Sequence, residues 1–166
     1  MFLNLIKKLS SSLYVQIWEE RIKVTDIANG HIYDEKPLVA LETTKKGQLK
    51  TVAIGNSASL ISDSNIEIVN PFSHPRVLFA DFTVGEKLLQ YIFRELSGNK
   101  FLNPSPEVII HPMEKTEGGL TMIELRAFKE VAFGAGARDV VVYQGKELSI
   151  TSINFNNLVA ITNDPS

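Results

Sequence analysis

Chemistry requires titratable or nucleophilic side chains held close together, and few positions in this chain meet that demand by spacing alone. His31, His74 and His111 stand far apart, in turn or strand-end positions. They show none of the short spacings of metal sites, so each is expected to be exposed or hydrogen-bonded. Ser10, Ser11 and Ser12 have no histidine placed near them by any local pattern, which leaves nucleophilic catalysis without a base. Gly118-Gly119 lacks the further glycines and the lysine of a phosphate loop and reads as a flexible lead-in to a helix. Glu124 is an acid at the start of a predicted helix. It also stands three residues after Thr121, where a glutamate closes a capping box and needs no substrate, and that role is the expected one.

These residues are carried by recognisable elements. Residues 106–145 read as strand, helix, strand. Val108, Ile109 and Ile110 form an apolar run between Pro106 and Pro112, suited to a strand buried on both faces. The helix opened by Thr121 carries Ile123, Ala127, Phe128 and Val131 at helical spacing and stops at the run from Gly134 to Arg138. Val140 to Tyr143 follows as a strand, so a parallel unit with a crossover helix is expected.

Upstream, Leu13, Val15 and Ile17 alternate with Tyr14, Gln16 and Trp18 as in a half-buried strand, and Ile22 and Val24 continue the alternation. Asn29-Gly30 marks a turn, residues 38–41 a third strand, and residues 51–54 another, giving an antiparallel meander of hairpins. Residues 56–82 read as irregular. A second capping box, Thr83 to Glu86, is expected to open a helix with Leu88, Leu89, Ile92, Phe93 and Leu96 on one face. After Gly145 the pattern reads as strands again, with Leu148 and Ile150 in alternation, a turn at residues 155–157 and a short apolar run at residues 158–161.

At 166 residues, with 44% apolar and 22% charged side chains, the chain has the composition of one ordinary globular domain. A formal charge of −2 argues against broad nucleic-acid binding. The absence of cysteine excludes a disulfide framework and a thiolate metal site. At the start, Phe2, Leu5, Ile6 and Leu9 share one helical face, with Asn4, Lys7 and Lys8 opposite. Two readings follow: a helix docked on protein, or an interfacial membrane anchor whose lysines meet anionic head groups. The domain expectation is an amphipathic segment over residues 1–11, one domain over 12–162 and a polar tail over 163–166.

The wording of residues 80–90, 103–108 and 134–140 narrows this further. Ala80-Asp81-Phe82, Glu86-Lys87 before Leu89-Gln90, Pro104-Ser105-Pro106, and Gly134-Ala135-Gly136-Ala137-Arg138 occur in the order in which the bacterial actin family MreB carries similar motifs. The chain resembles the first half of that family's fold, well from about residue 77 to 143 and more weakly over residues 12–55. The resemblance implies an α/β, actin-like or ribonuclease-H-like half-domain: a mixed sheet in which an antiparallel three-strand meander is followed by parallel strands with crossover helices. It also favours the membrane reading for Phe2, Leu5, Ile6, Lys7, Lys8 and Leu9.

The departures bear on activity. The family places an Asp-Leu-Gly-Thr phosphate loop between its first two strands, and the matching run here holds Gln16, Ile17, Trp18, Glu19 and Glu20. An indole in place of glycine blocks close backbone approach, and two carboxylates would meet phosphate with like charge. Such repulsion at ~4 Å costs roughly 4 kcal/mol at an effective dielectric near 20, about a thousandfold in affinity. The second phosphate loop belongs to a half of the fold that this sequence does not contain. Residues 158–162 align with that half's first strand, and no glycine-rich loop follows.

A ribonuclease-H-like nuclease would need converging carboxylates, and its first-strand acid falls on Gln16. The family's water-positioning glutamate falls on Glu124. The resulting expectation is a non-catalytic protein without a cofactor. It would sit on the cytoplasmic face of the membrane and bind MreB, another cell-shape protein or a second copy of itself. The family's lateral filament contact makes Glu86, Lys87, Gln90, Tyr91 and Arg94 candidate contact positions, against the plainer reading of a solvated helix face. The alternatives are half of an ATPase completed by another chain, and a structural homo-oligomer without membrane contact.

Overall fold

A computed structural model describes residues 11–98 and 104–163. The amphipathic segment of residues 1–9 lies outside the described residues, as does most of the polar tail. Two sheets form. The larger has the order β3-β2-β1-β7-β8, built from β1 (Ser12–Ile17), β2 (Ile22–Asp26), β3 (Ile32–Glu35), β7 (Glu107–Pro112) and β8 (Asp139–Val142). β1, β2 and β3 are antiparallel, whereas β1 with β7 and β7 with β8 are parallel. The smaller sheet, β5-β4-β6, is an antiparallel trio of β4 (Val39–Thr43), β5 (Leu49–Ile54) and β6 (Ile66–Val69).

The mixed sheet is the expected one, but its third meander strand is β3. Residues 38–41 leave that sheet and start the second. Ile32 is exposed and Tyr33 buried, so β3 shows too few apolar positions to announce itself. The stretch read as irregular contains a short helix α1 (Gly55–Ala58) and β6. β1 is not half-buried. It is the central strand, with Tyr14 and Gln16 as buried as Val15 and Ile17, because both faces of the large sheet are covered.

One face of that sheet, with Leu13, Val15, Ile17, Val108 and Ile110, packs against α2 (Phe82–Leu96) and α3 (Met122–Gly134). The other face, with Tyr14, Ile109 and Val141, is covered by residues 148–163. Val108, Ile109 and Ile110 are wholly buried, each worth ~1.5–3 kcal/mol by apolar burial. Ser12 already belongs to β1 and donates to Glu107.

Three local expectations are corrected. α2 is capped by Asp81, whose carboxylate accepts from the Val84 N–H, and no box forms at Thr83. An aspartate caps as well as a threonine, and this one comes first along the chain. In α3 the Thr121–Glu124 capping box does form, but Ile123 is 81% exposed while Leu125, Phe128, Val131 and Ala132 face the core. At 100° per residue Ile123 lies about 140° round the helix from Phe128, so the two cannot share a stripe. The tail is helical: a 3₁₀ turn at Ile150–Ser152, then α4 (Phe155–Asn163), which lays Phe155, Leu158 and Val159 on the sheet. A four-residue apolar run is compatible with strand or buried helix, and here the 3, 4 spacing decides.

Phe128→Ala is expected to lower unfolding free energy by about 3–5 kcal/mol in urea titrations. Ile123→Ala should change it by less than about 0.5 kcal/mol. Equal losses would contradict the orientation of α3.

Candidate functional site

The turn between β1 and β2 is where a backbone anion cradle would have to form. The Trp18 N–H donates to the Arg21 carbonyl at 2.8 Å, which closes the turn. The Arg21 guanidinium lies 5.0 Å over the half-buried indole and forks onto Asp34 at 2.7 and 2.5 Å. The Glu19 N–H points outward and is already taken, by the Glu114 carboxylate at 2.8 Å.

The remaining polar groups of Glu19 are also engaged. Its carbonyl accepts from Asn70 Nδ2 at 2.7 Å, and its carboxylate accepts from Ser73 Oγ at 3.2 Å and pairs with Lys115 Nζ at 2.8 Å. The bond from Lys115 holds the Glu19 carboxyl below the usual carboxylate range. Glu19 is therefore turned toward Lys115, and Glu20 projects into solvent. Lys115 is the one non-glycine residue of positive φ among the described residues, at 55°, a conformation costing on the order of 1–3 kcal/mol unless its surroundings enforce it. Its ammonium also donates to the His74 carbonyl at 2.5 Å.

Beneath the turn, Gln16 is buried and donates to Glu147 at 2.9 Å, with Met113 Sδ at 4.0 Å. Deeper still, His111 is buried between Tyr14 and the chain after β8. Its Nδ1 lies 2.7 Å from the Tyr14 hydroxyl and its Nε2 3.0 Å from the Gly145 carbonyl, and Tyr14 in turn accepts from the Leu148 N–H at 3.2 Å. A neutral ring with its proton on Nε2 satisfies all three bonds. Burial accordingly pushes the imidazole below its ordinary pKa and the Tyr14 phenol above its own.

The other sequence candidates are dispersed. Glu124 accepts from the Thr121 N–H and hydroxyl at 2.8 and 2.7 Å, so its carboxylate is committed to the helix start. On α2, Gln90 donates to Glu86 and to the Gly134 carbonyl, and a β-carbon at Gly134 would run into the Glu86 carboxylate, so both residues face the end of α3. Tyr91 reaches the Thr51 carbonyl of β5 at 3.4 Å, Arg94 lies 5.5 Å over its ring, and Lys87 is half-buried. Phe2, Leu5, Ile6, Lys7, Lys8 and Leu9 lie outside the described residues, among which no helix is long and apolar enough to cross a membrane.

Among the described residues no His, Asp and Glu cluster could hold a metal ion. A cavity of about 460 Å³ lies at the opposite end of β1, beside Ser11, Phe93 and Pro104, remote from the turn. Glu114, Lys115 and Glu147 were not visible as site residues, because their partners lie 41 to 131 positions away and no local pattern encodes them.

The closest features of this architecture recur in actin-like proteins. MamK, in a non-polymerising mutant bound to AMPPNP, matches with a TM-score of 0.63 at 14% identity, over 81% of this chain and 41% of that one. MreB5 of Spiroplasma citri bound to AMPPNP matches with a TM-score of 0.61 at 25% identity, over 81% of this chain and 38% of that one. The protein has an actin-like fold.

The family is shown more narrowly by sequence. The family model described as MreB/Mbl protein matches residues 20–153, and the chain belongs to that family. The cell shape-determining protein MreB of Pasteurella multocida is 35% identical over 119 residues, 69% of this chain and 32% of that protein. The chain thus spans about a third of the length of the curated relatives it matches.

The buried imidazole gives a pH prediction. Its folded pKa is depressed, so its contribution to stability is complete above the unfolded value of 6.5 and is lost as pH falls through the lower folded value. The imidazole should titrate below 6.5 by NMR, and the urea midpoint should drop between pH 7 and pH 5 more in the wild type than in His111→Phe. A midpoint at or above 6.5 would contradict the neutral ring.

Proposed function

We propose that this MreB-family chain works by protein contact on the cytoplasmic face of the membrane, in the organisation of cell shape, without binding or hydrolysing nucleotide. The observation that carries this reading is the occupied turn. Trp18 stands where a phosphate loop needs a small residue, and the outward Glu19 N–H is bonded to a carboxylate of the same chain. An incoming phosphate would have to displace the Glu114 carboxylate from the Glu19 N–H. The relatives whose structures hold AMPPNP or ADP are longer chains, of which this one covers about two fifths.

Partners in this reading are MreB itself, another cell-shape protein or a second copy. The face of α2 around Lys87, Tyr91 and Arg94 is the part of the expected contact surface not turned toward α3. Residues 1–9 supply the lipid contact, Phe2, Leu5, Ile6 and Leu9 entering the acyl boundary and Lys7 and Lys8 meeting anionic head groups. A homo-oligomer without lipid contact, and an ATPase half completed by another chain, are the readings this one competes with.

Trp18 is the single tryptophan, so its emission reports on the turn directly. Titrating ATP with magnesium up to millimolar concentration is expected to give no saturable change, alone or with a full-length MreB. Micromolar affinity would reject the nucleotide-free reading. In co-sedimentation with vesicles containing anionic lipid, the chain lacking residues 1–9 should stay in the supernatant while the intact chain pellets. Equal pelleting would remove the anchor.

A further inference from the structure

Glu114 and Lys115 are consecutive, and in extended backbone their side chains would point to opposite sides. The left-handed backbone at Lys115, φ 55°, undoes that alternation and brings both onto Glu19. The Glu114 carboxylate takes the Glu19 N–H at 2.8 Å, and the Lys115 ammonium takes the Glu19 carboxylate at 2.8 Å and the His74 carbonyl at 2.5 Å. The Trp18 N–H is spent within the turn on the Arg21 carbonyl, so the Glu19 N–H is the donor that the closed turn offers outward to Glu114. A carboxylate on such a donor, with the ammonium of the next residue paired to the Glu19 carboxylate, reproduces the chemistry of an oxyanion bound to a backbone N–H.

We propose that Glu114 is a built-in ligand of the β1–β2 turn, an intramolecular oxyanion whose seat would accept a free carboxylate once the side chain is removed. The contact continues the β1–β7 ladder, whose last backbone bond runs from the Met113 N–H to the Ile17 carbonyl, and ties it to a third segment. Glu114 and Lys115 lead from β7 toward α3, Glu19 caps the β1–β2 hairpin, and Asn70, Ser73 and His74 lead from β6 of the small sheet toward α2. The latch therefore fixes the turn in one arrangement with no external ligand. It rests on the reading of the turn as a phosphate loop closed by its own chain, and deepens it by stating which ligand chemistry, a carboxylate, the seat accepts.

The test is amide exchange of the intact chain followed residue by residue by NMR. In Glu114→Ala the Glu19 amide should exchange at least tenfold faster than in the wild type, while the Val15 and Ile109 amides in the sheet keep their rates and the thermal midpoint shows the variant folded. Glu114→Gln, which keeps a neutral acceptor, should fall between the two. Added sodium formate should restore part of the lost protection in Glu114→Ala, whereas sodium chloride at equal ionic strength should not. Wild-type exchange at Glu19 in Glu114→Ala, or lost protection that formate leaves unrestored, would overturn the proposal. Saturable ATP binding by the wild type would instead sink the nucleotide-free reading and leave the exchange result standing.

Discussion

Glu19 is bonded through every polar group it has, and the arrangement of the upper end of the molecule depends on it. Its N–H, carbonyl and carboxylate meet Glu114, Asn70, Ser73 and Lys115, residues that come from the two stretches of chain joining the strands to α2 and α3. Each bond alone is modest, since water screens exposed polar pairs. Together they over-determine one turn, which is how a lysine is held in a backbone conformation that its side chain disfavours.

The layers below make that hub possible. β1 is central in the large sheet, so its end is fixed by β2 on one side and β7 on the other, and the Ile17 carbonyl accepts from the Met113 N–H just before Glu114. The Tyr14–His111 pair then ties β1 and β7 to the chain after β8, which leads into the helix that covers the second sheet face. A buried polar network of this kind tolerates no missing partner, because an unsatisfied group costs more than a satisfied one contributes.

Much of the core was legible because its signals are local. The Val108–Ile110 run, the α2 stripe and the Thr121–Glu124 box each depend on neighbours in sequence, and the actin-like order of elements followed from them. The misreadings share a cause. β3 has one buried apolar side chain and so lacks alternation, Ile123 lies on the wrong side of α3, and residues 158–161 are too few to separate strand from helix. At the site, Gln16, Trp18 and Glu19 stood out through their departure from a family motif. Glu114, Lys115 and Glu147 did not, since a carboxylate that reaches a backbone N–H 95 residues away leaves no periodic mark. The left-handed backbone at Lys115 was equally hidden, as neither glycine nor asparagine signals it.

A crystal structure of the intact chain grown with AMPPNP and magnesium in excess tests the central claim most directly. The account predicts that density on the Glu19 N–H is continuous with the Glu114 side chain and that no triphosphate lies against the turn. A phosphate group bonded to that N–H, with Glu114 swung away, would contradict it.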